Sequence, residues 1–201
     1  MNKVFCFFDR NTIALLDFNL KHEIMKRLLF SSALLDLTVS RLCEQLIENY
    51  SDFSNTVLLG IQPRGTLFAE RIHKRLEIRL NKKIHFGKLD VTFYRDDFRR
   101  RNEPLKANMT NVPFVIENKK VILIDDVLHT GRTISAAMSA MAAFGRPQKV
   151  DLMVLIDRKY TRNLPIAPNY TGKTVNTILS EHIEVEWTQE GAKEDKIWLI
   201  S

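Results

Sequence analysis

The stretch "VILIDDVLHTGRT", residues 121–133, decides how the chain reads. Four apolar residues in a row, without polar alternation, describe a strand buried on both faces, as in a covered parallel sheet. The adjacent carboxylates of Asp125 and Asp126 then stand where that strand ends. Like charges repel, so hydrogen-bond donors or a cation should face them. The next residues, Thr130, Gly131, Arg132 and Thr133, form a turn into a helix. Exposed amides at a helix start attract phosphate, and Gly131 lets the backbone come close to it. In open parallel sheets, ligands bind beyond the carboxyl ends of the strands. One loop therefore offers acids suited to ribose hydroxyls or magnesium beside a cradle suited to a monophosphate. No Walker-type G-x-x-x-x-G-K-[ST] loop is present.

The neighbouring segments extend the pattern. Upstream, "TVLLGIQPRG" reads as a buried strand over 56–61 that ends in a Pro-Arg-Gly turn. "TLFAERIHKRLEIRL" follows as a helix with Leu67, Ile72, Leu76 and Leu80 inward. Before these, 28–30 reads as a short strand, and Ser31 or Ser32 as the cap of a helix carrying Leu35, Val39, Leu42 and Leu46 on one face. "HFGKLDVTFYRDD" alternates like a strand, whereas residues 96–118 have no sustained period and read as a long loop, either functional or disordered. Downstream, "RTISAAMSAMAAFG" is a small-residue helix closed by Gly145, and "KVDLMVLIDR" is another apolar strand. Strands and helices alternating in this way predict an α/β fold with a parallel sheet covered on both faces.

At 201 residues and 45% hydrophobic content, the chain is long enough for one domain with a full core. Its net charge of +6 favours anionic partners, phosphates or nucleic acid among them. Cys6 and Cys43 make neither a zinc spacing nor a disulfide framework, which fits a reducing cytoplasm. No apolar run reaches the roughly 18 residues that span a bilayer, so no membrane is expected. Residues 1–24 fall outside the pattern. They read as an N-terminal extension, either ahead of an authentic start at Met25 or packed peripherally, with a native helical appendage as the alternative; 25–201 is the domain.

"VILIDDVLHTGRT" resembles the phosphoribosyl-pyrophosphate (PRPP) signature of type I phosphoribosyltransferases. With "GIQPRG", "FGKLDVTFYRDD", "EPL", "AFGRP", "VLIDR", "LPI" and "GK", the chain resembles the PyrR family over roughly residues 27–187. That family pairs uracil phosphoribosyltransferase activity with RNA attenuation of pyrimidine operons. The resemblance implies a twisted parallel sheet flanked by helices, with a flexible catalytic loop and a small hood.

The resemblance also implies residue roles. Asp125 and Asp126 would hold the ribose hydroxyls of PRPP, with Mg2+ near them, directly or indirectly. His129, Thr130, Gly131, Arg132, Thr133 and the Ile134 amide would surround the 5′-phosphate. Pro63, Arg64 and Gly65 would take pyrophosphate, in a loop where such folds can hold a non-proline cis peptide. Tyr94, Arg95, Asp96 and Asp97 would root the flexible loop, which runs to about residue 112, and Arg95 is a better partner for pyrophosphate oxygens than the Arg99-Arg100-Arg101 run. The backbone at Ile156, Asp157 and Arg158 would read the base. Arg64, Arg95 and Asp126 are the catalytic candidates, and the products would be UMP and pyrophosphate.

Purine-specific relatives carry aspartate where this chain has His129, which argues against a purine substrate. Arg41 matches an RNA-facing arginine of the family, but Glu44, Lys159-Tyr160 and Ala167-Pro168 depart from its basic pattern. Three readings follow: a uracil enzyme of PyrR type, a messenger RNA leader-binding regulator with vestigial catalysis, or a phosphoribosyltransferase for another base such as orotate. Family resemblance further implies a homodimer or homotetramer.

Overall fold

The structure is a computed structural model and describes residues 25–96, 107–178 and 180–201. Five strands form one parallel sheet: β2 (Thr56–Ile61), β3 (His85–Leu89), β4 (Lys120–Leu128), β5 (Lys149–Lys159) and β6 (Tyr170–Asn176), in the order β3-β2-β4-β5-β6. Because β2 leads outward to β3 and the chain then returns to place β4 on the other side, the order reverses between β2 and β4. Such a switch point leaves a crevice at the carboxyl ends of the two strands.

Side chains of β4 alternate between two cores, with Ile122 and Ile124 in one and Val121, Leu123 and Leu128 in the other. The first face is covered by α1 (Ser32–Tyr50) and α2 (Gly65–Leu80), the second by α3 (Arg132–Met141) and by Val112, Phe114 and Ile116 of the irregular segment before β4. This two-sided burial explains the unbroken apolar runs. Leu35, Val39, Leu42 and Leu46 of α1 are all buried, and Ser31 caps that helix by accepting the Leu34 N–H.

A second, antiparallel sheet in the order β1-β8-β7 forms the hood. It consists of β1 (Lys26–Phe30), β7 (His182–Glu186) and β8 (Lys196–Ile200). Phe30, Val185, Ile197 and Leu199 of these strands, with Trp187 just after β7, join the α1–α2 core, so the hood is docked on hydrophobic surface.

The structure departs from the expected local elements at four points. The strand beginning at His85 stops at Leu89 and turns into a short 3-10 helix over Thr92–Tyr94, where the buried Asp90 carboxylate accepts from the Thr92 N–H and hydroxyl. Regular α-helix in α3 ends at Met141, and a 3-10 turn over Ala142–Phe144 carries the chain to Gly145 at φ +123°. The acid pair occupies the sixth and seventh of the nine residues of β4, which runs on to Leu128. Finally, the cis peptide of the Pro-Arg-Gly loop joins Gln62 to Pro63 and is an ordinary X-Pro bond. The proposed extension over 1–24, Asp97, the arginine run at 99–101 and the "EPL" motif lie outside the described residues.

Candidate active site

Two connections meet at the switch point. From β2, Pro63 and Arg64 lead into α2, whose first residue is Gly65. From β4, His129 and Thr130 lead into α3. The two come together through Gly65: a Cβ built there would lie 2.7 Å from Asp125 Oδ1 and 3.0 Å from the Asp125 Cα. Any side chain at 65 would collide with the acid strand, so the small residue of the Pro-Arg-Gly turn is a packing requirement of the acid pair.

Asp125 and Asp126 are almost fully buried. Asp125 Oδ1 accepts the Asp126 N–H at 3.0 Å, and Asp126 Oδ1 accepts the Val127 N–H at 2.8 Å. Loss of hydration, and then the negative charge of Asp126, hold the Asp125 carboxyl well above the ordinary carboxylate range; Arg95 pulls it partly back. Burial likewise raises Asp126, opposed by its bonds to Asp125 and Val127 and by the Arg64 guanidinium. The arginines named from the sequence therefore act electrostatically on the acids named from the sequence. Buried carboxylates without a full ion pair are costly, and they persist where a ligand supplies the missing partners.

The turn after β4 has the geometry that phosphate requires. Gly131 sits at φ +89°, which favours glycine, and a Cβ there would press within 3.2 Å of Ile166 Cδ1. The first intrahelical bond of α3 runs from the Ser135 N–H to Gly131 O at 3.0 Å. The preceding Thr133 and Ile134 amides thus stand before the helical ladder begins. The Ile134 side chain is buried, so only its backbone can face a ligand. The Thr130 carbonyl accepts the Asn163 and Leu164 N–H groups at 3.0 and 3.2 Å, which fixes the turn from outside.

His129 is half-buried, and burial, then Arg158 and Arg162, lower its pKa from the ordinary imidazole value. Arg132 pairs with Asp96, joining the phosphate turn to the root of the loop that contains the exposed Tyr94. The stretch expected to read the base lies on the adjoining strand, with Ile156 in register with Val127 and Asp157 with Leu128.

Three residues add to the site without having been singled out from sequence in these roles. The Asp90 carboxylate accepts from the Thr92 hydroxyl and from the Asn108 N–H, at 2.7 and 3.2 Å, and so ties together two stretches 16 residues apart in the chain. A charged residue between Leu89 and Val91 was the available signal. Arg162 donates to the His129 carbonyl and pairs with Asp157, bridging the phosphate turn and the base strand. Arg158 is buried and turns away from the crevice, donating to Thr177 Oγ1 at 3.1 Å and to the Glu181 carbonyl at 2.6 Å. Its side chain pins the connection from β6 to the hood, while the backbone of 156–158 is paired with β6 and, at 156 and 157, with β4.

No group of three metal-ligating side chains occurs among the described residues. Two carboxylates alone fit magnesium, which keeps several waters and is usually bound through one or two acids plus substrate phosphates.

Residues 31–190 match the phosphoribosyl transferase domain family. The chain is 46% identical over 149 residues to the bifunctional protein PyrR of Latilactobacillus sakei, covering 73% of this chain and 82% of that one. It is 42% identical to the PyrR protein of Microcystis aeruginosa, with 81% and 90% covered, and 39% identical to that of Bacillus cereus, with 86% and 96% covered. The chain belongs to the PyrR family of phosphoribosyltransferases. Solved structures share the type I fold at low identity. A hypoxanthine-guanine phosphoribosyltransferase from Bacillus anthracis aligns with TM-score 0.65 at 16% identity, covering 89% of this chain and 99% of that one. A Trypanosoma cruzi hypoxanthine phosphoribosyl transferase aligns with TM-score 0.66 at 14%, covering 91% and 95%. At such identities the likeness establishes the sheet and helices and says nothing of the base.

Proposed function

We propose that the chain transfers ribose 5-phosphate from PRPP to uracil, giving UMP and pyrophosphate. The observation that carries this is the convergence of a buried acid pair, a glycine-bearing helix start and a Pro-Arg-Gly turn on one switch point. Asp125 and Asp126 accept from the ribose hydroxyls, and the amides at Gly131–Ile134 with Thr130 and Thr133 hold the 5′-phosphate. These two grips fix the sugar from opposite ends. Pro63–Gly65, Arg64 and Arg95 receive the pyrophosphate as it leaves C1′. Magnesium, held near the two acids and the departing oxygens, would neutralise charge on the leaving group. Uracil N1 attacks C1′ from the side of the 156–158 backbone. Positioning and electrostatic stabilisation supply the catalysis, and no covalent protein nucleophile is needed. Closure of the segment rooted at Tyr94–Asp96 would exclude the water that competes with uracil.

His129 replaces the carboxylate that a purine site would need, and burial with Arg158 and Arg162 disfavours its charged form. Turnover of PRPP measured against a panel of uracil, orotate and purine bases tests the reading. UMP formation restricted to uracil is expected; none at high PRPP would reject it.

RNA binding is a second reading, favoured by the exposed basic residues Arg27 and Lys173 beside Arg41. Glu44, which would repel phosphate, is paired with Arg79 at 2.7 Å. Arg41, however, already donates to the carbonyls of Thr171 and Gly172, at 3.1 and 2.8 Å. A gel shift with a pyrimidine operon leader, repeated across salt concentrations, tests it: phosphate-driven binding falls steeply with salt. A cytoplasmic homodimer or homotetramer completes the proposal. Among the described residues, no helix is long and apolar enough to cross a membrane.

A further inference from the structure

At the opposite end of the sheet from the acid pair, the amino ends of β4 and β5 border a polar cavity of about 350 Å³. Lys120 begins β4 and is in register with Lys149, which begins β5. Neighbouring strands lie about 4.8 Å apart, so two ammonium-bearing residues stand side by side on adjacent backbones. One carboxylate faces them: Asp151, buried on the cavity floor, accepts from Lys149 Nζ at 2.8 Å and from the Tyr50 hydroxyl. Lys120 has no carboxylate within salt-bridge distance among the described residues; its ammonium lies 5.9 Å from the Tyr50 ring centroid, as that of Lys149 does at 6.0 Å. The cavity-lining residues therefore carry one unbalanced positive charge.

A neutral donor completes the ring. Asn169 Oδ1 accepts the Leu152 N–H at 2.8 Å, which fixes the amide and leaves its NH2 group to donate. The buried Tyr170 hydroxyl accepts from Asn49 Nδ2 at 2.9 Å and also bonds with the Tyr50 hydroxyl, which itself donates to Asp151. A floor of one satisfied carboxylate beneath two ammonium groups and an amide matches an oxyanion with several acceptor oxygens. It does not match a cation, which would have to displace both lysines, nor an apolar ligand.

We propose that this cavity is a second anion site, taking a phosphate-sized oxyanion between Lys120 and Lys149 with Asn169 as a neutral donor. It lies five residues from Asp125 along β4, roughly 16 Å at the usual rise of a strand, and is separate from the catalytic crevice.

The test is a titration of the full-length protein with inorganic phosphate, followed by amide NMR. The Asn169 side chain and the backbone amides of Val150 and Tyr170 report this cavity, and the Gly131 amide reports the crevice independently. Saturable shifts at the first group are expected in the millimolar range, weakening as sodium chloride rises. Lys120→Met removes no partner of Asp151 and should weaken phosphate at this cavity by about tenfold or more, the usual consequence of losing a charged hydrogen bond. Gly131 shifts should be unchanged. Asn169→Asp keeps the acceptor for Leu152 and should weaken binding similarly. Absence of saturable shifts at the cavity up to tens of millimolar, or equal shifts in both variants, would overturn the proposal.

Discussion

Asparagine at position 125 should make the ligand-free protein more stable while lowering its activity. The substitution is nearly isosteric. It keeps the oxygen that accepts the Asp126 N–H at 3.0 Å and provides an amide that can donate to the Asp126 carboxylate. What it removes is a buried charge held unfavourably by lost hydration and by its neighbour. Relaxing a functional site of this kind gains about 1–2 kcal/mol. For a domain of this size, that raises Tm by about 2–8 °C.

The pH dependence follows from the direction of the shift. In the unfolded chain the carboxyl titrates near 3.8; in the fold it holds its proton to higher pH. Between those values the native state binds a proton that the unfolded state has lost, so wild-type stability falls as pH rises through the window. The gain from Asp125→Asn should therefore vanish below about pH 3.8 and reach its full size above the raised native value. Thermal unfolding across pH, without ligand, measures it. Because Asp126 contributes to the shift, Asp126→Asn added to Asp125→Asn should gain less than it does alone. Activity moves the other way: losing a charged acceptor for a ribose hydroxyl costs about 1.5–3 kcal/mol, or about 10- to 150-fold in kcat/KM for PRPP. A lower Tm for Asp125→Asn at neutral pH, or a gain that persists in acid, would refute the argument that this acid is held without compensation.

Gly65→Ala forces a methyl group against Asp125 and should cost about 1–3 kcal/mol. Displacing the acid by even part of an ångström should lower kcat by about 100-fold, measured by PRPP turnover at saturating substrates. Gly131→Ala must place a side chain at φ +89° and against Ile166; it should cost about 1–2 kcal/mol in denaturant unfolding and raise KM for PRPP. Arg158→Met removes the buried donors to Thr177 and Glu181 and should cost about 2–3 kcal/mol in urea unfolding, with little change in KM for PRPP.

The parts of the fold legible in the sequence are those governed by local pattern. Buried strands such as 56–61 and 121–124 announce themselves because a sheet covered on both faces needs unbroken apolar runs. The turn into α3 is visible because glycine at a helix start has a backbone reason to be there. The PyrR assignment came from the resemblance of whole motifs, and the relatives bear it out. Less legible was whatever depends on partners distant in the chain. Asp90 reads as one more charge in an alternating strand until the fold brings Asn108 to it from 18 residues away. Arg158 sits among residues chosen for the base, yet its guanidinium is drawn to carbonyls near the hood, where burial demands donors. The two lysines of the lower cavity illustrate the same limit. Lys120 and Lys149 each look like the polar edge of an apolar strand, and only the β4–β5 register makes them neighbours. In a parallel sheet every strand aligns its two ends with those of its neighbours, so weak polar signals at strand edges are summed across the sheet. At the carboxyl end that summation collects Asp125, Asp126 and the Ile156–Arg158 backbone; at the amino end it collects ammonium groups. The same register that builds the catalytic crevice thus builds a second charged surface with no further sequence motif.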